Sequence, residues 1–161
     1  MKKSMICALT LALASTVFIP TDYARANGNN GTLPHIDGNS QFPQSKWAPV
    51  RHSFDLHIPK NSKAVSELII QVPDVIRISD KNRINVVDTQ GKKIGTNISV
   101  NGKIIVLTFP NTVAPNTKLE IDINNVKRAI GGNGPVYQMS AKFVGSDAVL
   151  PVGFARFRVN G

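Results

Sequence analysis

An all-β fold, two antiparallel layers packed face to face, is the class this sequence predicts. Three observations predict it. Apolar and polar residues alternate in short runs from Arg51 onward, the period of a half-buried strand. Gly, Pro, Asn and Asp separate the runs, and these residues turn a chain. No stretch after the first 26 residues sustains a helical period.

The N-terminus accounts for the one long apolar run. Lys2 and Lys3 precede a mostly apolar stretch from Met5 to Ile19, Pro20 breaks it, and Ala24-Arg25-Ala26 offers a small-x-small cleavage site. That order predicts a signal peptide over residues 1–26, cut before Asn27. The run is shorter than the roughly 20 residues that span a bilayer, and no second segment is long or apolar enough to do so. The expected location is therefore the periplasm, the extracellular space or the cell envelope. The sole cysteine, Cys7, leaves with the leader. The mature chain then has no thiol for a disulfide, a nucleophile or a thiolate–metal bond. Residues 27–161 are still enough to bury one core.

Export also changes the charge. Lys2, Lys3 and Arg25 leave together with Asp22, so the formal +9 falls to +7. A charge of that size keeps a protein soluble and attracts polyanions. Outside the cytoplasm these are anionic polymers, membrane surfaces and acidic envelope proteins. Nucleic acid is not an expected partner, because no aromatic residues interleave with the basic ones as stacking on single strands requires.

The elements follow in order. Residues 27–50 carry prolines and no clear period, which predicts an irregular segment held to the domain by Phe42 and Trp47. In HSFDLHI, His52, Phe54, Leu56 and Ile58 share one face, with Ser53, Asp55 and His57 on the other. ELIIQV (67–72) and INVVD (84–88) are further strands, with 74–83 open between an extended crossing and a helical turn. Between Ile94 and Phe109, Asn101-Gly102 predicts a type I′ hairpin with Ile98 facing Ile105. Pro110 and Pro115 each lack a donor and are expected to end ladders. In KLEIDIN, Leu119, Ile121 and Ile123 oppose Lys118, Glu120 and Asp122. The two carboxylates stand about 7 Å apart, and a solvated sheet face accounts for them without acid–base work. VYQMSAKFV (136–144) and ARFRVN (155–160) complete the set. Such a series predicts an Ig-like antiparallel β-sandwich of about seven to eight strands over residues 51–161.

The features now assembled resemble a family of secreted cyanobacterial proteins, domain of unknown function 2808. The shared features are the approach segment with Phe42, then HSFDLHIPKNS and LIIQV. After these come the TF-P…AP-x-T loop from Leu107 to Leu119 and the terminal LPVGFARFRV. The chain lacks the glycine-rich turn the family pattern has near Ser62–Val65. The resemblance implies an exported Ig-like domain and implies no activity.

Chemistry-bearing groups are sparse. His52 and His57 lie five apart on one strand, on opposite faces and about 16 Å apart, so they cannot share a metal there. No serine sits in a nucleophile-elbow context. Gly131-Gly132-Asn133-Gly134 runs into Pro135 and a strand, not into the helix N-terminus that a phosphate loop needs. No catalytic residue, metal ligand or cofactor is expected. Lys92, Lys93, Lys127, Arg128, Arg156 and Arg158 are the candidate contacts for an anionic partner. The reading is a non-enzymatic envelope module for binding or structure. The alternative is a small periplasmic copper or zinc carrier on the same sandwich, with His35 or His52 as its ligand.

Overall fold

The computed structural model describes residues 31–45, 49–78, 83–128 and 134–158. The expected signal peptide, Trp47 and the glycines at 131 and 132 lie outside them. Among the described residues no helix is long and apolar enough to cross a membrane. The described residues form ten strands in two antiparallel sheets.

The first sheet contains β1 (His35–Phe42), β2 (Val50–Ile58), β4 (Ile76–Arg77), β5 (Ile84–Asp88) and β8 (Thr117–Arg128). Its order is β1-β2-β8-β4, with β5 also paired to β8. β8 is long enough to hold β2 along one edge while β5 and β4 follow each other along the other. The second sheet has the order β10-β9-β3-β7-β6. Its strands are β3 (Val65–Gln71), β6 (Asn97–Asn101), β7 (Ile104–Val113), β9 (Val136–Phe143) and β10 (Val149–Arg156).

The alternating residues fill the space between the sheets. Phe54, Leu56 and Ile58 of β2 and Leu119, Ile121 and Ile123 of β8 meet Leu68, Ile70, Ile105, Leu107, Tyr137 and Met139 of the second sheet, all buried. Each such side chain withdrawn from water contributes about 1.5–3 kcal/mol before chain entropy is counted.

One polar joint crosses this core. The His52 ring is fully buried and stacks on Phe157, with centroids 4.0 Å apart. Its Nδ1 lies 2.8 Å from Tyr137 Oη, and its Nε2 lies 3.1 Å from Gln41 Oε1. Gln41 Nε2 donates to the carbonyls of Pro43 and Ser45, so Gln41 Oε1 accepts. His52 then carries its proton on Nε2, and Nδ1 accepts from the Tyr137 hydroxyl. Beside this joint Gly134, at φ +87, passes so close to Phe157 that an added Cβ would sit 2.3 Å from its carbonyl oxygen.

Several expectations are corrected. Residues 35–42 are not irregular but form β1, paired along β2. Gln41, not Phe42, points inward; Phe42 is 67% exposed. The hairpin turn is Gly102-Lys103, so Ile98 faces Leu107. Only Gly102 has positive φ there, the pattern of a type II′ turn with glycine first. Because the slip is by two residues, each side chain keeps its face. β7 runs through Pro110, which falls where the β3 pairing skips between Thr108 and Val113; a missing donor is tolerated at such an irregularity. The last strand is Val149–Arg156, earlier than the 155–160 expected, with a register shift at Pro151/Gly153. Just beyond it Phe157 N donates to Pro135 O in the same register, and Phe157 enters the core on the face of Ala155, as alternation expects.

Burial pushes the Tyr137 phenol above its ordinary value of 10.0. The folded state therefore holds this proton where the unfolded chain has lost it, and stability falls as pH rises above about 10. Tyr137→Phe should cost about 1–3 kcal/mol at neutral pH, because His52 Nδ1 loses its donor. The variant should also lose less stability than wild type above pH 10. Urea midpoints measured across that range check both effects.

Candidate functional site

The pairing of three neighbouring strands builds a polar cluster on the outer face of the first sheet. His35 of β1 is the register partner of His57 of β2, and His57 is the partner of Lys118 of β8. Cross-strand partners share a face, so the three side chains form a row. Asp37 follows at the position where β1 skips a partner, between Ile36 and Gly38. Such a bulge re-aims the extra side chain. Here it brings Asp37 Oδ1 to 3.0 Å from His35 Nε2 and Asp37 Oδ2 to 3.9 Å from His57 Nδ1. Lys118 Nζ donates to Asp37 Oδ2 at 3.0 Å.

The polar atoms are unevenly served. His35 Nε2 is buried without a hydrogen-bond partner, its 3.0 Å approach to Asp37 lacking bonding geometry. The His57 side chain is 9% exposed, and its Nδ1 is too far from Asp37 for a hydrogen bond. The two rings meet edge-on, 4.9 Å between centroids. Burial alone would raise the Asp37 carboxyl. The hydrogen bond and charge of Lys118, with the nearby imidazoles, outweigh it and hold the group below 3.8.

A groove of about 460 Å³ opens beside the cluster, lined by Asp37, Asp55, Asp88 and Glu120 together with Lys118. Asp122 lies elsewhere, accepting from Ser53 Oγ at 2.5 Å with Arg51 Nε at 3.7 Å. Glu120 and Asp122 therefore serve different surroundings and form no acid–base pair.

The expected basic contacts divide between the two ends of the sandwich. Lys127 and Arg128 finish β8, opposite Arg77 and Ile76. Arg156 finishes β10, opposite Val136, and Arg158 follows it. The His52–Tyr137–Phe157 contacts tie these strand ends to one end of the molecule. Lys127, Arg156 and Arg158 are exposed there, as is Arg77. Lys92 and Lys93 are exposed in the β5–β6 connection, next to Asp88. Asp88 pairs with Leu119, so they stand about 27 Å along β8 from Lys127.

The histidine cluster was not legible as one. An irregular course for residues 27–50 gives His35 no reason to meet His57. The available signal was His35-x-Asp37, two residues apart and so on one side of a strand.

The family model "Protein of unknown function (DUF2808)" matches residues 36–155, from the first strand to the last. The chain belongs to the DUF2808 family. No curated protein matches the DUF2808 chain by sequence. Among solved structures it is similar to BcpA, the major pilin subunit of Bacillus cereus, with TM-score 0.50 and 9% identity, over 78% of this chain and 40% of that one. It is also similar to the N-terminal domain of the Streptococcus gordonii adhesin Sgo0707, with TM-score 0.50 and 8% identity, over 80% of this chain and 32% of that one. The DUF2808 chain thus spans less than half the length of either. At such identities the likeness concerns the fold, an Ig-like β-sandwich.

The Asp37–Lys118 contact has an acid signature. A carboxyl held below 3.8 stabilises the fold fully above its unfolded value, and this contribution disappears as pH falls through the lower folded value. In the presence of a chelator, wild type should exceed Lys118→Met in urea midpoint at neutral pH. The difference should close below pH 3.8.

Proposed function

We propose that this chain is an exported, non-enzymatic module of the cell envelope that binds an anionic partner through one end of its sandwich. The observation that carries the reading is the charge at that end. Lys127, Arg156 and Arg158 stand exposed with Arg77, and among the described residues Asp74 is an exposed carboxylate on the approach to the same end. Arg128 is the last residue of β8, opposite Ile76. Fixed cations within a Debye length, about 8–10 Å, of a polyanion act together, and arginine suits phosphate, sulfate and carboxylate groups. The pilin and adhesin likeness supports an envelope role, since sandwiches of this shape serve there as building and binding modules. Lys92 and Lys93 are no part of this contact, because they stand at the far end beside an acidic groove.

Retention on a phosphate or sulfate matrix tests the reading. The protein should bind at low salt and elute with increasing salt. Arg156→Gln/Arg158→Gln should elute much earlier than Lys92→Gln/Lys93→Gln, although each pair removes the same charge. Failure to bind at low salt, or equal shifts from the two pairs, would refute it.

A further inference from the structure

We infer that His35, Asp37 and His57 form a binding site for a divalent transition-metal ion of the Zn²⁺ type. The donors come from two paired strands, and their ligating atoms all lie within 4.8 Å of one another. A tetrahedral Zn²⁺ with bonds of about 2.0–2.1 Å needs its donors about 3.3 Å apart. His35 Nε2 and Asp37 Oδ1 already stand 3.0 Å apart, and the wider pairs close by rotation of the side chains. Two imidazoles and one carboxylate suit zinc and leave a fourth position for water.

A second, independent observation points to a ligand. His35 Nε2 is a buried nitrogen without a hydrogen-bond partner. The His57 side chain is nine-tenths buried, with no hydrogen bond to Asp37. A buried nitrogen left in the state of His35 Nε2 requires an explanation, and an ion is one of the few available. The path to the site has the right sign: on a protein of formal charge +9, the adjoining groove collects Asp37, Asp55, Asp88 and Glu120. With four carboxylates against the single ammonium of Lys118, the groove carries a net negative field that attracts cations.

Lys118 sets the affinity. Its ammonium holds Asp37 Oδ2 at 3.0 Å, where it competes with the incoming cation. The Lys118 side chain is 57% exposed, so it can swing into water when the ion enters. The ion then replaces one flexible contact with three bonds joining β1 to β2.

The site is tested by titrating the purified protein with ZnCl₂ near neutral pH, following heat and the histidine ring signals by NMR. The chain has three histidines, and His52, sealed in the core, is an internal control. One ion should bind per chain, shifting the rings of His35 and His57 and sparing His52. His57→Gln should weaken binding at least about tenfold, and Lys118→Met should strengthen it several-fold. Ca²⁺ and Mg²⁺, which prefer all-oxygen sites, should not compete. No binding at millimolar Zn²⁺, a response centred on His52, or displacement by Ca²⁺ would each overturn the assignment. The wild-type ring signals and the exposed Lys118 variant decide the question even if His57→Gln fails to fold. The outcome is separate from the basic-end reading, which concerns the opposite end of β8.

Discussion

The contact between Gln41 and His52 fixes the rest of the arrangement. The two residues are register partners across β1 and β2, and their side chains are bonded within the core. His52 is itself held by Tyr137 from the opposing sheet. The imidazole therefore sets both the spacing of the sheets and the alignment of β1. A slip of one residue would turn every side chain of β1 over. With the alignment fixed, His35 arrives opposite His57, and the single extra residue at Asp37 turns its carboxylate toward both rings. The outer cluster is thus a consequence of a hydrogen bond in the interior.

Much of the sandwich could be read from alternation alone. Phe54, Leu56 and Ile58, or Leu119, Ile121 and Ile123, face inward because period two and hydrophobicity agree at those positions. The hairpin slip at Gly102-Lys103 did no harm, since a displacement of two residues preserves every face. What failed was decided by tertiary contacts. HIDGNSQF has little apolar content, and it becomes a strand because β2 offers an edge and His52 offers a partner for Gln41. Phe157 faces the core as its period with Ala155 expects, and its N–H donates to Pro135 O in continuation of the β9 register, although the regular pairing stops at Arg156. The histidine cluster needed the pairing of β1 with β2, and local patterning carries no information about that pairing.

The charges show a second kind of organisation. Alternation places polar residues outside but does not say which sign goes where. The fold gathers Asp37, Asp55, Asp88 and Glu120 around one groove, and leaves Lys127, Arg156 and Arg158 on strand ends remote from it. A net charge of +9 thus hides a separation of positive and negative regions along the strands. Approaching ions and polymers respond to those local fields before the total charge.

The irregularities in the outer strands have one more consequence. β1 is kinked at Asp37 and β10 at Gly153, while β5 and β6 are five residues long and β4 two. Every rim of both sheets is therefore bent or brief. A long flat rim invites a neighbouring copy to continue the ladder, which is how β proteins polymerise into fibrils. Among the described residues, rims of this kind offer a poor template for adding a further strand.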